Sequence, residues 1–362
     1  MELGIIGFPA CGKTSLFNAV TGSTQPVGQY SNTPGQTLAV MQVPDPRMEK
    51  LRALCNPKKF TLATAGCFDF TGLITGTGGG GKEIKAEILG KLRQVDAIVH
   101  VVRAFDSSDV PHVLESIDPR RDLAETDSEL LFADLAQCET RIEKLKVQVT
   151  KPTKMREEYK KELATMEKIH ALLENSKPVS EFEPANDDER KHIANFAFLT
   201  NKKQVVVFNV GEGDLAPGGK GEELKKQFPG SMVLSAKIEM EIAQLPAEER
   251  DLFLQDLGIT EPAAARLARQ AYAALNAISF FTIGEDEVRA WTIQNGDSAV
   301  TAASKVHTDL SKNFIRAEVF GYQELMDLGS EKELKAAGKM RLEGKEYVVK
   351  DGEIVHIRAN TR

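Results

Sequence analysis

Near the start of the chain, Gly7, Phe8, Pro9, Ala10, Cys11, Gly12, Lys13 and Thr14 have the residue types and spacing of a loop that cradles phosphates. Glycines let successive backbone N–H groups turn toward one point, and a following helix N-terminus adds partial positive charge there. Lys13 is placed to reach terminal phosphates, Thr14 to hold magnesium, and Ser15 to complete the contact surface. The chemistry implied is magnesium-dependent binding and hydrolysis of a nucleoside triphosphate.

Four further groups fit the same chemistry. Asp69, Phe70, Thr71 and Gly72 read DxxG, in which Asp69 reaches a magnesium-bound water and the Gly72 N–H meets the γ-phosphate. Between this motif and the first loop lies a polar run at residues 31–37, where Thr37, or Thr33 in its place, completes the magnesium shell. Asn209, Val210, Gly211 and Glu212 stand where Ras-type switches carry NKxD, and Ser235, Ala236 and Lys237 where they carry SAK. Val210 replaces the lysine that packs on guanine, and the longer Glu212 replaces the aspartate, so a bidentate guanine contact is weakened. Directly after the DxxG comes Leu73, at the position where such switches use a glutamine to orient the attacking water. A leucine cannot do that, so slow intrinsic hydrolysis is expected, with residues 77–81 as a glycine-rich switch loop.

The elements that must hold these groups are legible in the pattern. Leu3, Ile5 and Ile6 make a buried strand before the loop, and Leu16, Phe17 and Val20 line a helix that Gly22 stops. Residues 204–208 and 232–234 are strands ending at the two base motifs. From residue 127, Leu131, Leu135, Cys138, Ile142, Leu145 and Val149 recur at three- and four-residue steps, the seam of a coiled coil. A second stripe through Met155, Tyr159, Leu163, Met166 and Leu173 predicts an antiparallel partner. The tip carries Arg141, Lys144, Lys146, Lys151, Lys154, Arg156, Lys160 and Lys161, a candidate patch for RNA phosphates. Beyond Ile278 short strands follow, at residues 280–282, 288–293 and 347–349.

A formal net charge of −7 opposes indiscriminate nucleic-acid binding, so any RNA contact is local, and no DNA specificity is evident. No apolar run approaches the length of a bilayer span, and Cys11, Cys55, Cys67 and Cys138 form no CxxC pair. A cytoplasmic, monomeric protein with free thiols is expected. His100, His170, His192, His307 and His356 show no metal-ligand spacing, and Trp291 is expected in a core.

Taken with VPDPR at residues 43–47, DAIVHVVR at 96–103, EVRAWT at 287–292, HTD at 307–309 and GKEYV at 344–348, these motifs resemble the Obg-like ATPases of the YchF type over essentially the whole chain. The resemblance implies ATP preferred over GTP, with Asn209 and Val210 lining the base, and a ribosome or ribosomal RNA as partner. It implies a hydrophobic residue at the catalytic glutamine position, here Leu73, and points to His112 as a catalytic substitute. Cys11 and Thr14 give ACGKT where many relatives have NVGKS, which places a thiol beside the nucleotide. The fold expected is α/β: a Ras-like P-loop G-domain at residues 1–126 and 201–277, a coiled-coil hairpin inserted at 127–200, and a C-terminal β-grasp domain resembling TGS at 278–362. The alternatives are a GTPase of the Obg-related group, or a nucleotide-clamped RNA- or ribosome-binding module without significant turnover.

Overall fold

The computed structural model describes residues 1–25, 35–71, 86–108 and 110–360. Thr33, Gly72, Leu73 and the glycine tract therefore lie outside the described residues.

Strand β1 (Glu2–Ile6) buries side chains on both of its faces, as a strand covered by helices on either side requires. It sits inside a six-stranded sheet with β2 (Gly35–Val43), β4 (Ala63–Thr71), β5 (Ala97–Arg103), β6 (Lys203–Asn209) and β7 (Met232–Leu234). The order is β2-β4-β1-β5-β6-β7, parallel throughout except for the antiparallel edge strand β2. This is the Ras-like arrangement expected. Helices α1 (Lys13–Thr21) and α2 (Pro46–Cys55) cover one face with Leu16, Phe17, Met48 and Leu51, while α3 (Ala86–Leu92) brings Leu92 to the other.

The inserted hairpin pairs α4 (Pro119–Gln148) with α5 (Arg156–Glu174), and α6 (Asp187–Phe196) packs beside them. At 1.5 Å per residue the 30 residues of α4 span about 45 Å. Its core contains Cys138, Ile142, Leu145, Met166 and Leu173, as the seam predicts, but Met155 is 51% exposed at the turn. The helix also begins at Pro119, not at residue 127. Asp118 accepts from the Arg120 and Arg121 amides and Pro119 occupies the first turn, a start signal the heptad count passes over.

At the hairpin root Asp134, fully buried, accepts from Arg93 Nη1 at 2.7 Å, from the Leu199 and Thr200 amides at 3.0 and 2.8 Å, and from Thr200 Oγ1 at 2.8 Å. One carboxylate thus ties the turn after α3, helix α4 and the segment entering β6.

A second sheet contains β8 (Ala277–Thr282), β9 (Glu287–Gln294), β10 (Phe314–Gly321), β11 (Arg341–Glu343) and β12 (Glu353–Ala359). Their order, β11-β10-β12-β8-β9, has the first and last strands of the set parallel at the centre and hairpins outside, with a helix at Ala299–Val306 packed on it, which is a β-grasp arrangement. Residues 347–349 are not a strand: Val348 makes one isolated bridge to Ser298. Trp291 is partly buried on this core and donates to Thr282 Oγ1 at 3.0 Å.

The sheet has a sixth strand that the sequence reading left in the first domain. β3 (Lys59–Thr61) pairs in parallel with β9, and Thr61 Oγ1 donates to Glu287 at 2.6 Å. Arg47 adds a second tie, donating to Asp351 at 2.7 Å with its guanidinium 5.0 Å from the Phe281 ring centroid. One apolar cluster runs from Leu3 and Leu16 to Phe281, Val288 and Ile354, so the two sheets share a core.

Candidate functional site

The phosphate loop joins β1 to α1 at the carboxyl ends of the parallel strands, where ligands bind in open α/β sheets. Gly7 has φ +147° and a Cβ there would meet the Val101 carbonyl oxygen at 2.2 Å. Gly12 has φ +99° and a Cβ would meet Asn209 Nδ2 at 2.2 Å, so both glycines are required by close approach. Gly12 caps α1 without a side-chain bond, leaving the first amides of the helix uncapped by any side chain. Ala10 is exposed with φ 60°, Pro9 and Ser15 are half-buried, and Phe8 is buried.

Lys13 is 7% exposed and its Nζ donates to the carbonyls of Gly7 at 3.0 Å and Phe8 at 2.7 Å. An ammonium has three N–H donors; the third meets only the Cys11 Sγ at 4.0 Å, a long contact that an anion in front of the loop would replace. Thr14 Oγ1 donates to Asp69 Oδ2 at 2.8 Å. Asp69 is 3% exposed and its other oxygen, Oδ1, has no hydrogen-bond partner among the described residues. Burial raises the Asp69 pKa, with Thr14 and Lys13 opposing the rise. A buried acceptor without a donor, beside a hydroxyl and an ammonium, fits a hydrated divalent cation. Thr37 lies directly opposite Asp69 in the β2–β4 ladder, which puts the two side chains on the same face.

Asn209 bridges the loops around this point. Its Nδ2 donates to the Cys11 carbonyl at 2.9 Å and its Oδ1 accepts from the Ala236 amide at 2.8 Å. Both ends of the amide are thus engaged in fastening the phosphate loop to the Ser235–Lys237 turn. Val210 is 2% exposed among Val102, Phe208 and Val233, so its side chain faces the core and does not line a base as expected. The reason is strand alternation carried one residue past β6, where Val210 N–H still bonds the Leu234 carbonyl. Glu212 is exposed and paired with Lys237 at 2.7 Å, which raises the Lys237 pKa. Ser235 and Ala236 are buried at the start of α8 (Ala236–Gln244), after α7 (Lys220–Gln227).

Cys11 is 1% exposed, and burial pushes its thiol pKa up, with Lys13 partly opposing. The thiol is held protonated and apolar in the core, the chemistry of a filler. His100, on β5 beside Ile6, is also buried, and burial with nearby Lys13 lowers its pKa to about 3. His112 is buried rather than solvated. Its Nδ1 accepts from the Leu114 amide at 3.1 Å and its Nε2 meets Asp122 Oδ2 at 2.8 Å. In this arrangement both ring nitrogens are engaged by partners within the protein. Asp122, in the first turn of α4, was not singled out in the sequence; the Asp118-Pro119 start signal is what locates it.

Comparison with known proteins agrees with this layout. A family model described as a 50S ribosome-binding GTPase matches residues 2–133. A YchF-GTPase C-terminal model, described as of unknown function, matches residues 277–360. The chain is 39% identical to the Haemophilus influenzae ribosome-binding ATPase YchF, over 99% of both. It is 38% identical to the Bacillus subtilis protein of the same name, again over 99% of both. Human Obg-like ATPase 1 is 35% identical, covering all of this chain and 93% of the human one. The solved structure of a Schizosaccharomyces pombe YchF GTPase superposes with a TM-score of 0.82 at 32% identity, covering 99% of this chain and 97% of that one.

Proposed function

The chain belongs to the YchF family of Obg-like ATPases, and on that premise we propose that it is a magnesium-dependent ATPase of slow intrinsic rate that binds the ribosome in a nucleotide-controlled way. The observation that carries the proposal is the linked set Lys13, Thr14 and Asp69, with one lysine donor held only by the long 4.0 Å contact to Cys11 Sγ and one buried carboxylate oxygen without a partner among the described residues, to meet phosphate and hydrated metal. Lys13 and the loop amides bind and orient the triphosphate. Thr14, Asp69 through water, and Thr37 hold magnesium, which when bound supplies charge neutralisation at the β- and γ-phosphate oxygens. Gly72 serves the γ-phosphate, and Leu73 leaves the attacking water without a side-chain orienter.

ATP over GTP is proposed from the state of Glu212. Its carboxylate is shared with Lys237, so a guanine would have to compete with an ammonium for the acceptor that its N1–H and amine need. Equilibrium titration of nucleotide-free protein with ATP and GTP, both with magnesium, tests this. Tighter binding of ATP is expected, and Glu212→Asp, which withdraws the carboxylate from Lys237, is expected to shrink the ATP:GTP ratio by about tenfold, or 1.4 kcal/mol. An unmoved ratio means Glu212 does not read the base, and a wild-type preference for GTP would make the chain a GTPase.

Ribosome contact is proposed through the hairpin tip, in a cytoplasmic setting, with the C-terminal domain acting as a TGS module. Of the eight basic residues there, Arg141 is paired with Glu162, Lys160 with Glu157 and Lys161 with Asp188. Lys144, Lys146, Lys151 and Lys154 are exposed and, among the described residues, carry no ion pair; Arg156 is likewise exposed and unpaired with any carboxylate there, its Nε donating to the Val149 carbonyl at 2.8 Å, so these five are the cations available to RNA phosphates. Replacing Lys144, Lys151 and Lys154 together by Glu is expected to weaken co-sedimentation with ribosomes and reduce the log–log salt slope by about 3. Equal pelleting of variant and wild type at two salt concentrations would move the contact elsewhere.

A further inference from the structure

Beyond α8 the chain forms helix α9 (Ala247–Asp256), held to α8 by Leu254, which is 7% exposed and packs with Ile238 and Ile242. The outer face of α9 is apolar where a surface helix is ordinarily polar: Leu252 is 65% exposed, Leu257 42% and Phe253 37%. Steps of three and four residues join these three to Glu249 and Asp256, so the five side chains form one continuous patch. Beside it, Leu254, Gln255, Gly258, Ile259 and Thr260 line an open hollow of about 480 Å³.

Helix stability does not account for this face. Glu249 suits the first turn, but Asp256 stands in the last, where the helix dipole favours a cation and no basic residue is present. Glu249 and Asp256 are exposed and, among the described residues, carry no ion pair, whereas Glu261 is paired with Arg269 and Glu212 with Lys237. Large apolar side chains in water, set among free carboxylates, mark a surface that a partner covers. The carboxylates repel nucleic-acid phosphates, so α9 does not extend the RNA surface of the hairpin tip, and they disfavour a second copy of a chain of net charge −7. The complement is a basic protein segment with an apolar anchor. Proteins that sit among RNA phosphates carry such a surplus of lysine and arginine.

We propose that the α9 face is a second docking surface for the ribosome and takes a basic segment of a ribosomal protein. An apolar side chain of that segment enters the hollow beside Leu254, and its cations meet Glu249 and Asp256. The proposal rests on the ribosome-binding function above and makes the contact bipartite, with RNA phosphates at the hairpin tip and protein at α9.

The test uses the full chain and purified ribosomes. One variant combines Glu249→Lys with Asp256→Lys, another Phe253→Ser with Leu257→Ser, and each is titrated by co-sedimentation beside the wild type, with ATP and magnesium. Both are expected to bind ribosomes at least about tenfold more weakly. Lysines on a face that met RNA would instead tighten binding, so the sign of the charge-reversal effect separates protein from RNA. A photo-cross-linking phenylalanine analogue in place of Phe253 is expected to give an adduct with a lysine- and arginine-rich ribosomal peptide that survives ribonuclease. Unchanged or tighter binding of the charge-reversed variant would overturn the proposal, and so would an adduct that ribonuclease destroys. ATP affinity and circular dichroism on the same samples report folding. Should a double variant fail to fold, the cross-link on the otherwise unaltered chain decides, and absence of any adduct from ribosome-bound protein counts against the proposal. A wild-type chain that does not sediment with ribosomes is a different result, which overturns the function on which this docking rests.

Discussion

Lys13→Met is expected to lower kcat/KM for ATP by about 10²–10³-fold, or roughly 3–4 kcal/mol of transition-state stabilisation, as for loss of one preorganised donor at a developing charge. The geometry explains why the loss should be so large. Lys13 Nζ donates to the carbonyls of Gly7 and Phe8 and reaches Cys11 Sγ only at 4.0 Å, so substitution removes both the charge and the brace that shapes the loop. The fold should survive, because α1 keeps its apolar face of Leu16, Phe17 and Val20 against the sheet. Measuring turnover with circular dichroism on the same sample separates the cases. A well-folded variant that turns over ATP at the wild-type rate would remove the phosphate site from residues 7–14.

Asp134→Ala is expected to destabilise the hairpin root by about 3–5 kcal/mol, the range for removing one partner of a buried, hydrogen-bonded charge. Four donors converge on that carboxylate, and alanine leaves two buried backbone amides, at Leu199 and Thr200, with nothing in its place. Native-state amide exchange reads the effect locally. Exchange at Leu199 and Thr200 should speed up by at least two orders of magnitude in the variant, while the β1 and β5 amides change far less. Equal acceleration throughout would mean the hairpin and the sheet unfold as one unit, and no acceleration would mean the Asp134 network carries no stability.

Much of the site was legible because its residues are contiguous. A strand of Leu3, Ile5 and Ile6, glycines at 7 and 12, and Lys13-Thr14 opening an amphipathic helix require a phosphate loop by local geometry alone. Asp69 could be grouped with Thr14 around one magnesium in advance, from a DxxG closing the strand that follows the phosphate loop, whereas the direct Thr14–Asp69 hydrogen bond comes from the fold. The base motifs were half legible. Their position at the ends of β6 and β7 followed from strand length, but whether Val210 faces the ligand or the core depends on where strand alternation stops.

The sequence by itself placed a phosphate loop between a buried strand and an amphipathic helix, the strands that end at the base motifs, and a basic-tipped hairpin, because loops, caps and periodicities are set by neighbours within a turn or two. The tertiary structure alone decided that β3 leaves its own domain for the second sheet, that Arg47 reaches Asp351 across 304 residues, that Glu212 is shared with Lys237, and that His112 is caught between Phe8 and Asp122. Each of those is a choice among partners distant in the chain. Such choices are made by which buried donors and acceptors must be satisfied once the cores close, and periodicity carries no record of them.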